Sequence, residues 1–92
     1  MPYIKPNDRD LFDDWIGYLG DSLEEEGWIP GHVNYAISRL IGRWFKNESR
    51  YHTIAEITGV LENVKQEFYR RVATEYEDAA VEKNGDIVEY RT

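Results

Sequence analysis

The sequence predicts an all-α fold, a three-helix domain with a long C-terminal helix and short extended termini. Three observations carry that expectation. Apolar residues recur at steps of three and four through most of the chain. The turn signals are few and fall between those stretches, at Gly27–Gly31, at Asn47–Arg50 and at Asn84-Gly85. The alternating tail Ile87-Val88-Glu89-Tyr90 reads as a short strand able to pair with Tyr3-Ile4, and two such pieces alone are marginal. With 92 residues the chain is expected to form a single helical domain, 1–92.

Taken in order, the N-terminus is extended, because Pro2 and Pro6 each disfavour helix in the residue before them. A first helix is expected from Asn7 or Asp8, both good N-caps, with Leu11, Trp15 and Leu19 on one stripe and Phe12, Ile16 and Leu23 beside it. Gly17 and Gly20 weaken this helix and are candidates for a close helix–helix approach. Glu24-Glu25-Glu26 stands at its disfavoured acidic end, and Gly27 supplies a left-handed stop. Trp28-Ile29-Pro30-Gly31 is a turn whose large residues either plug the end of a core or form a lip for a partner.

The second helix is expected from His32 to Lys46, with Val33, Ile37, Leu40, Ile41 and Trp44 on one face. The third opens on a capping box, Thr53-Ile54-Ala55-Glu56, and meets no strong stop before Asn84-Gly85. Its stripe is Ile54, Ile57, Leu61, Val64, Phe68, Val72 and Tyr76, with Gly59 as the interior weak point and Glu67 and Arg71 as a favourable i,i+4 pair. Some 30 residues give roughly 43 Å of helix, against about 23 to 27 Å for each of the other two. The surplus apolar length needs a cover. Either the tail, through Ile87 and Tyr90, folds over it, or a second copy does, which is the expected homodimer or higher homo-oligomer.

Composition narrows the classes of function. The net charge is -7, 41% of residues are hydrophobic and 14% aromatic, which is too aromatic for a disordered acidic tail. There is no apolar run long enough for a membrane span, no signal-peptide pattern at the start and no Cys, so a cytoplasmic protein is the expectation. The chain carries no signature of a cofactor or of a metal. His32 and His52 lack ligand-spaced partners, and Asp21-x-x-Glu24 with Glu75-x-x-Asp78 only faintly echoes a magnesium-binding pyrophosphohydrolase. No phosphate loop, nucleophile elbow or dinucleotide fingerprint is present, and a non-enzymatic role is expected.

Charge is unevenly placed. Residues 1–30 hold two basic and eight acidic side chains, whereas residues 31–52 hold four basic and one acidic. Arg39, Arg43 and Lys46 recur at i, i+4 and i+7, a strip able to meet phosphate or, more simply, an acidic helix of this chain or of a neighbour. The acidity of the whole argues against nucleic acid as a partner. The densest polar–aromatic cluster is Glu67-Phe68-Tyr69-Arg70-Arg71-Val72, where Arg with Tyr and a carboxylate suits an anionic small molecule or a salt-bridged helix surface. Asn34-Tyr35 stands beside the stripe of the second helix and suits either an interhelical contact or the orientation of a ligand.

Pro2-Tyr3-Ile4 with Arg9, Asn34-Tyr35-Ala36-Ile37, Gly59-Val60-Leu61-Glu62, Glu67-Phe68-Tyr69-Arg70-Arg71-Val72, Tyr76-Glu77-Asp78 and Asn84-Gly85-Asp86 together resemble a small family of unknown function. Its members are short single-domain proteins of bacteria and tailed phages, and no activity carries over from it. The loop around Trp28–His32 is longer here than is usual for that family. The leading expectation is a self-associating helical interaction module, with a phage accessory protein acting on a host component as the setting. Tyr35, Arg39, Glu67, Tyr69 and Arg70 are its expected ligand- or partner-binding residues. The alternatives are a protein that holds an anionic nucleotide between subunits with Arg39, Arg70 and Tyr69, and an acidic mimic of nucleic acid built on Asp13, Asp14, Asp21 and Glu24 to Glu26.

Overall fold

The computed structural model describes residues 2–91 and is all-α. A single turn, α1 (Pro6–Arg9), leads to α2 (Asp13–Glu25) and α3 (Pro30–Asn47). The long C-terminal helix follows as α4 (Tyr51–Phe68), a π-helical turn (Tyr69–Ala73) and α5 (Thr74–Asn84), 34 residues in all. The described residues divide into two units, with the boundary between Thr58 and Gly59. No helix among them is long and apolar enough to cross a membrane.

In the first unit the N-terminal helix departs from the expected single stretch. Neither Asn7 nor Asp8 caps it; Lys5 is the extended N-cap and Pro6 takes the first helical position, where its missing N–H costs nothing. The ladder then slips, as the Leu11 and Phe12 amides donate to the carbonyls of Asp8 and Arg9, three residues back. Phe12, at φ -122°, leaves the helical region, and α2 restarts behind it at Asp13. The N-terminal segment is tied down by the Arg9 guanidinium, whose Nε donates to the Ile4 carbonyl at 2.9 Å.

The end of α2 follows its sequence closely. The Gly27 amide donates to the Glu24 carbonyl and the Trp28 amide to the Leu23 carbonyl, both at 2.9 Å. This is a Schellman closure, and it requires the left-handed φ of 87° that Gly27 adopts. Trp28 also lies at positive φ, 56°, a conformation that is strained for a bulky residue. Trp28 and Ile29 are exposed, so they do not plug a core within this chain. Pro30, expected in the turn, opens α3 instead, with Ile29 extended before it as its N-cap.

The capping box expected at Thr53 is not formed. The helix begins two residues earlier, at Tyr51, and the Thr53 and Ile54 amides both donate to the Arg50 carbonyl. Thr53 is therefore already inside the first turn, 1% exposed, and its hydroxyl has no hydrogen-bond partner among the described residues. Thr53 and Ile57 are the buried residues of this unit. Beside them Ile41, Phe45, Ile54, Ile57 and Thr58 line an open groove of about 250 Å³ between the end of α3 and the start of α4. α2 and α3 make no side-by-side contact along their lengths.

In the second unit the helix ends where Asn84-Gly85 predicted, with Gly85 at φ 88° and its amide on the Val81 carbonyl at 2.8 Å. The tail is not a strand. Val88–Tyr90 is a 3-10 turn, closed by the Tyr90 and Arg91 amides on the carbonyls of Ile87 and Val88. Three residues with one local bond each are satisfied more cheaply by such a turn than by an isolated ladder. The tail does not cover the surplus stripe either. Phe68, Val72 and Tyr76 remain 63%, 51% and 78% exposed, and Ile87, Val88 and Tyr90 are exposed as well.

These backbone readings separate two glycines. Gly27→Ala places a Cβ on a left-handed residue and is expected to cost about 1–2 kcal/mol. Gly17→Ala, in mid-α2 with nothing within 4 Å of the added carbon, is expected to stabilise by about 0.5–1 kcal/mol. Thermal unfolding followed by far-ultraviolet circular dichroism reads both signs.

Candidate functional site

The five residues expected to form a functional surface fall into three separate side-chain pairings. On α3, one turn apart, the Arg39 Nη1 donates to the Tyr35 hydroxyl at 2.8 Å, and the guanidinium carbon lies 5.6 Å from the ring centroid. A hydrogen bond and a cation–π contact thus hold the Arg39 head over its own helix. Asn34 accepts from the Ser38 hydroxyl at 3.3 Å, again within α3, so its amide oxygen is spent locally.

In the second unit Glu67 pairs with Arg70, three residues on, rather than with Arg71 as the i,i+4 rule suggested. Both spacings bring helix neighbours within reach, and here the nearer guanidinium takes the carboxylate. Glu67 is the more sheltered partner of the two, and Arg70 stays mostly in solvent. Tyr69 turns to a residue the sequence reading did not single out as a site, Glu77. Its hydroxyl donates to both carboxylate oxygens, at 3.0 and 3.1 Å.

The π turn explains why two residues eight apart can meet. Along an ideal α-helix eight steps overshoot two full turns by about 80°. The π-helical Tyr69–Ala73 accommodates one extra residue. Tyr69 and Glu77 then behave as if seven apart, within about 20° of one line. No feature of the sequence pattern announces that insertion, because the apolar steps of three and four continue through it.

Arg39 and Tyr35 belong to the first unit, and Glu67, Tyr69 and Arg70 to the second. Two of the cations expected to receive an anion are already engaged, Arg39 by a phenol and Arg70 by a carboxylate. Elsewhere the Nε2 of His52 lies 3.2 Å from a Glu48 carboxylate oxygen, one turn away on the approach to α4. Among the described residues no group of three His, Asp or Glu side chains is placed to hold a metal ion.

Glu77 also sets the ionisation of Tyr69. It accepts the phenolic proton, and its negative charge opposes formation of a second one, so the Tyr69 hydroxyl is pushed above its usual pKa of 10.0. The pairing therefore favours the folded state below the ordinary phenol pKa, and that contribution disappears as pH rises through the raised value. The ring resonances of Tyr69 in an NMR titration are expected to shift at higher pH than those of Tyr51, and Glu77→Gln should lower the midpoint.

A family model described as Domain of unknown function (DUF6899) matches residues 1–87, and the chain belongs to that family. No curated protein and no solved structure matches it.

Proposed function

We propose that this member of the family is a non-enzymatic helical interaction module that works as a homodimer or higher homo-oligomer. The observation that carries the reading is the apolar row Phe68, Val72 and Tyr76, which the tail of its own unit leaves open to water. Four-residue spacing on a plain α-helix would drift by about 40° per step. The extra residue of the π turn brings Phe68 and Tyr76 back to within about 20° of one line. The result is a narrow, straight ridge of the kind a second helix packs against. At about 1.5–3 kcal/mol for each large apolar side chain fully buried, this ridge rewards a partner strongly.

Tyr69 and Arg70 flank the same stretch, each fixed by an intrachain carboxylate, and on this reading they order the margin of the contact. The cytoplasmic, bacterial or phage setting, with a host component as a further partner, rests on the family resemblance and the composition. The proposal is tested by light scattering and sedimentation across a concentration series. The mass should rise above that of one chain as concentration increases. Phe68→Asp with Val72→Asp should weaken association by more than about tenfold while helicity is retained. A one-chain mass at every concentration would count against self-association.

A further inference from the structure

We propose that α2 of one chain docks on the apolar face of α3 of a second copy, and that the second copy returns the contact. The inference rests on the self-association just proposed, but it concerns a different surface, wholly within the first unit. α2 presents Trp15, Ile16 and Leu19 to water, with Trp15 72% exposed, and α3 presents Ile37, Leu40 and Trp44. Both are amphipathic faces lacking a cover, and within one chain the two helices do not lie along each other. The joint holds them apart, because the Schellman closure at Gly27, the left-handed Trp28 and the extended Ile29 together fix the exit direction of the chain. A face that cannot close on its neighbour in the same chain can close on the same neighbour in another copy, at no cost to the joint.

Area and charge both favour a second copy as the occupant. The six side chains expose roughly 600 Å² per copy, about three quarters of the ~800 Å² each partner buries in a standard interface. Between its ends α2 carries Asp13, Asp14, Asp21, Glu24 and Glu25 and no base, while α3 carries Arg39, Arg43 and Lys46 and no acid. Among the described residues none of these α2 acids, nor Arg43 or Lys46, forms an ion pair. At 100° per residue Asp14 and Glu25 share a line about 80–100° around α2 from Trp15, and Arg43 lies about 60° around α3 from Leu40. The opposite charges therefore border the two apolar faces that meet, where they steer and select the pairing.

The test is a charge exchange read by light scattering and sedimentation equilibrium. Arg43→Glu alone, and Asp14→Lys with Glu25→Lys alone, should each weaken self-association by about tenfold or more, because like charges then face each other. Mixing the two variants restores opposite charges at both contacts, and their mixed complex should form within about threefold of the unaltered affinity. Circular dichroism establishes that each variant keeps its helicity. Leu40→Asp introduced into both should abolish the rescue. If the charge variants associate as tightly as the unaltered chain while Phe68→Asp with Val72→Asp does not, the α2–α3 contact is wrong and self-association stands. A mixture that fails to recover also overturns it. If the unaltered chain keeps a one-chain mass throughout, both ideas fall and the face belongs to a partner of another kind.

Discussion

An amphipathic helix gains most of its stability in water from burying its apolar side, since propensity alone leaves a short helix marginal. That constraint governs this chain. Its helices carry well-formed stripes, yet the described residues bury only Thr53 and Ile57, at 1% and 6% exposure. Large side chains such as Trp15, Leu40 and Tyr76 stand in solvent. The order present is of short range, made of caps, one-turn pairings and the groove between α3 and α4. What the chain lacks is a second layer, and the proposed roles follow from asking what supplies it.

The polar side chains behave consistently with that view. Arg39, Glu67, Tyr69 and Arg70 are each engaged within one or two helical turns, rather than converging on a common point. Pairings of this kind stiffen a surface and define where it ends. They leave few unsatisfied groups for a small anion, which is why the anionic-ligand reading gains little from the geometry. The comparison with known proteins places the chain in a family and stops there.

Much of the fold was legible in the sequence, for reasons tied to particular residues. Apolar periodicity located α2, α3 and the long helix, and Gly27 and Gly85 marked the two stops, because only a residue free of Cβ takes a left-handed conformation without strain. The errors lie where short-range signals compete. Thr53 and Glu56 have the spacing of a capping box, but the Arg50 carbonyl captures the first amides two residues upstream. The break at Phe12 was hidden because the stripe continues across it. The Ile87–Tyr90 alternation had no second strand to pair with, and a local 3-10 turn satisfied it. Of the candidate site, the residue types were legible and the pairings were not. Tyr69 with Glu77 depends on a helical insertion that leaves no compositional trace.

The π turn at Tyr69–Ala73 also fixes how this chain tolerates changes in length. An inserted residue works as a phase shifter, setting the angular relation between everything before it and everything after. Deleting one residue there would convert the turn to an ordinary helix while preserving hydrophobicity, charge and helix content. The eleven residues of α5 would nevertheless be rotated by about 100° relative to Phe68. Within this stretch the number of residues carries information that their identities do not, and a deletion should be felt more sharply than most substitutions.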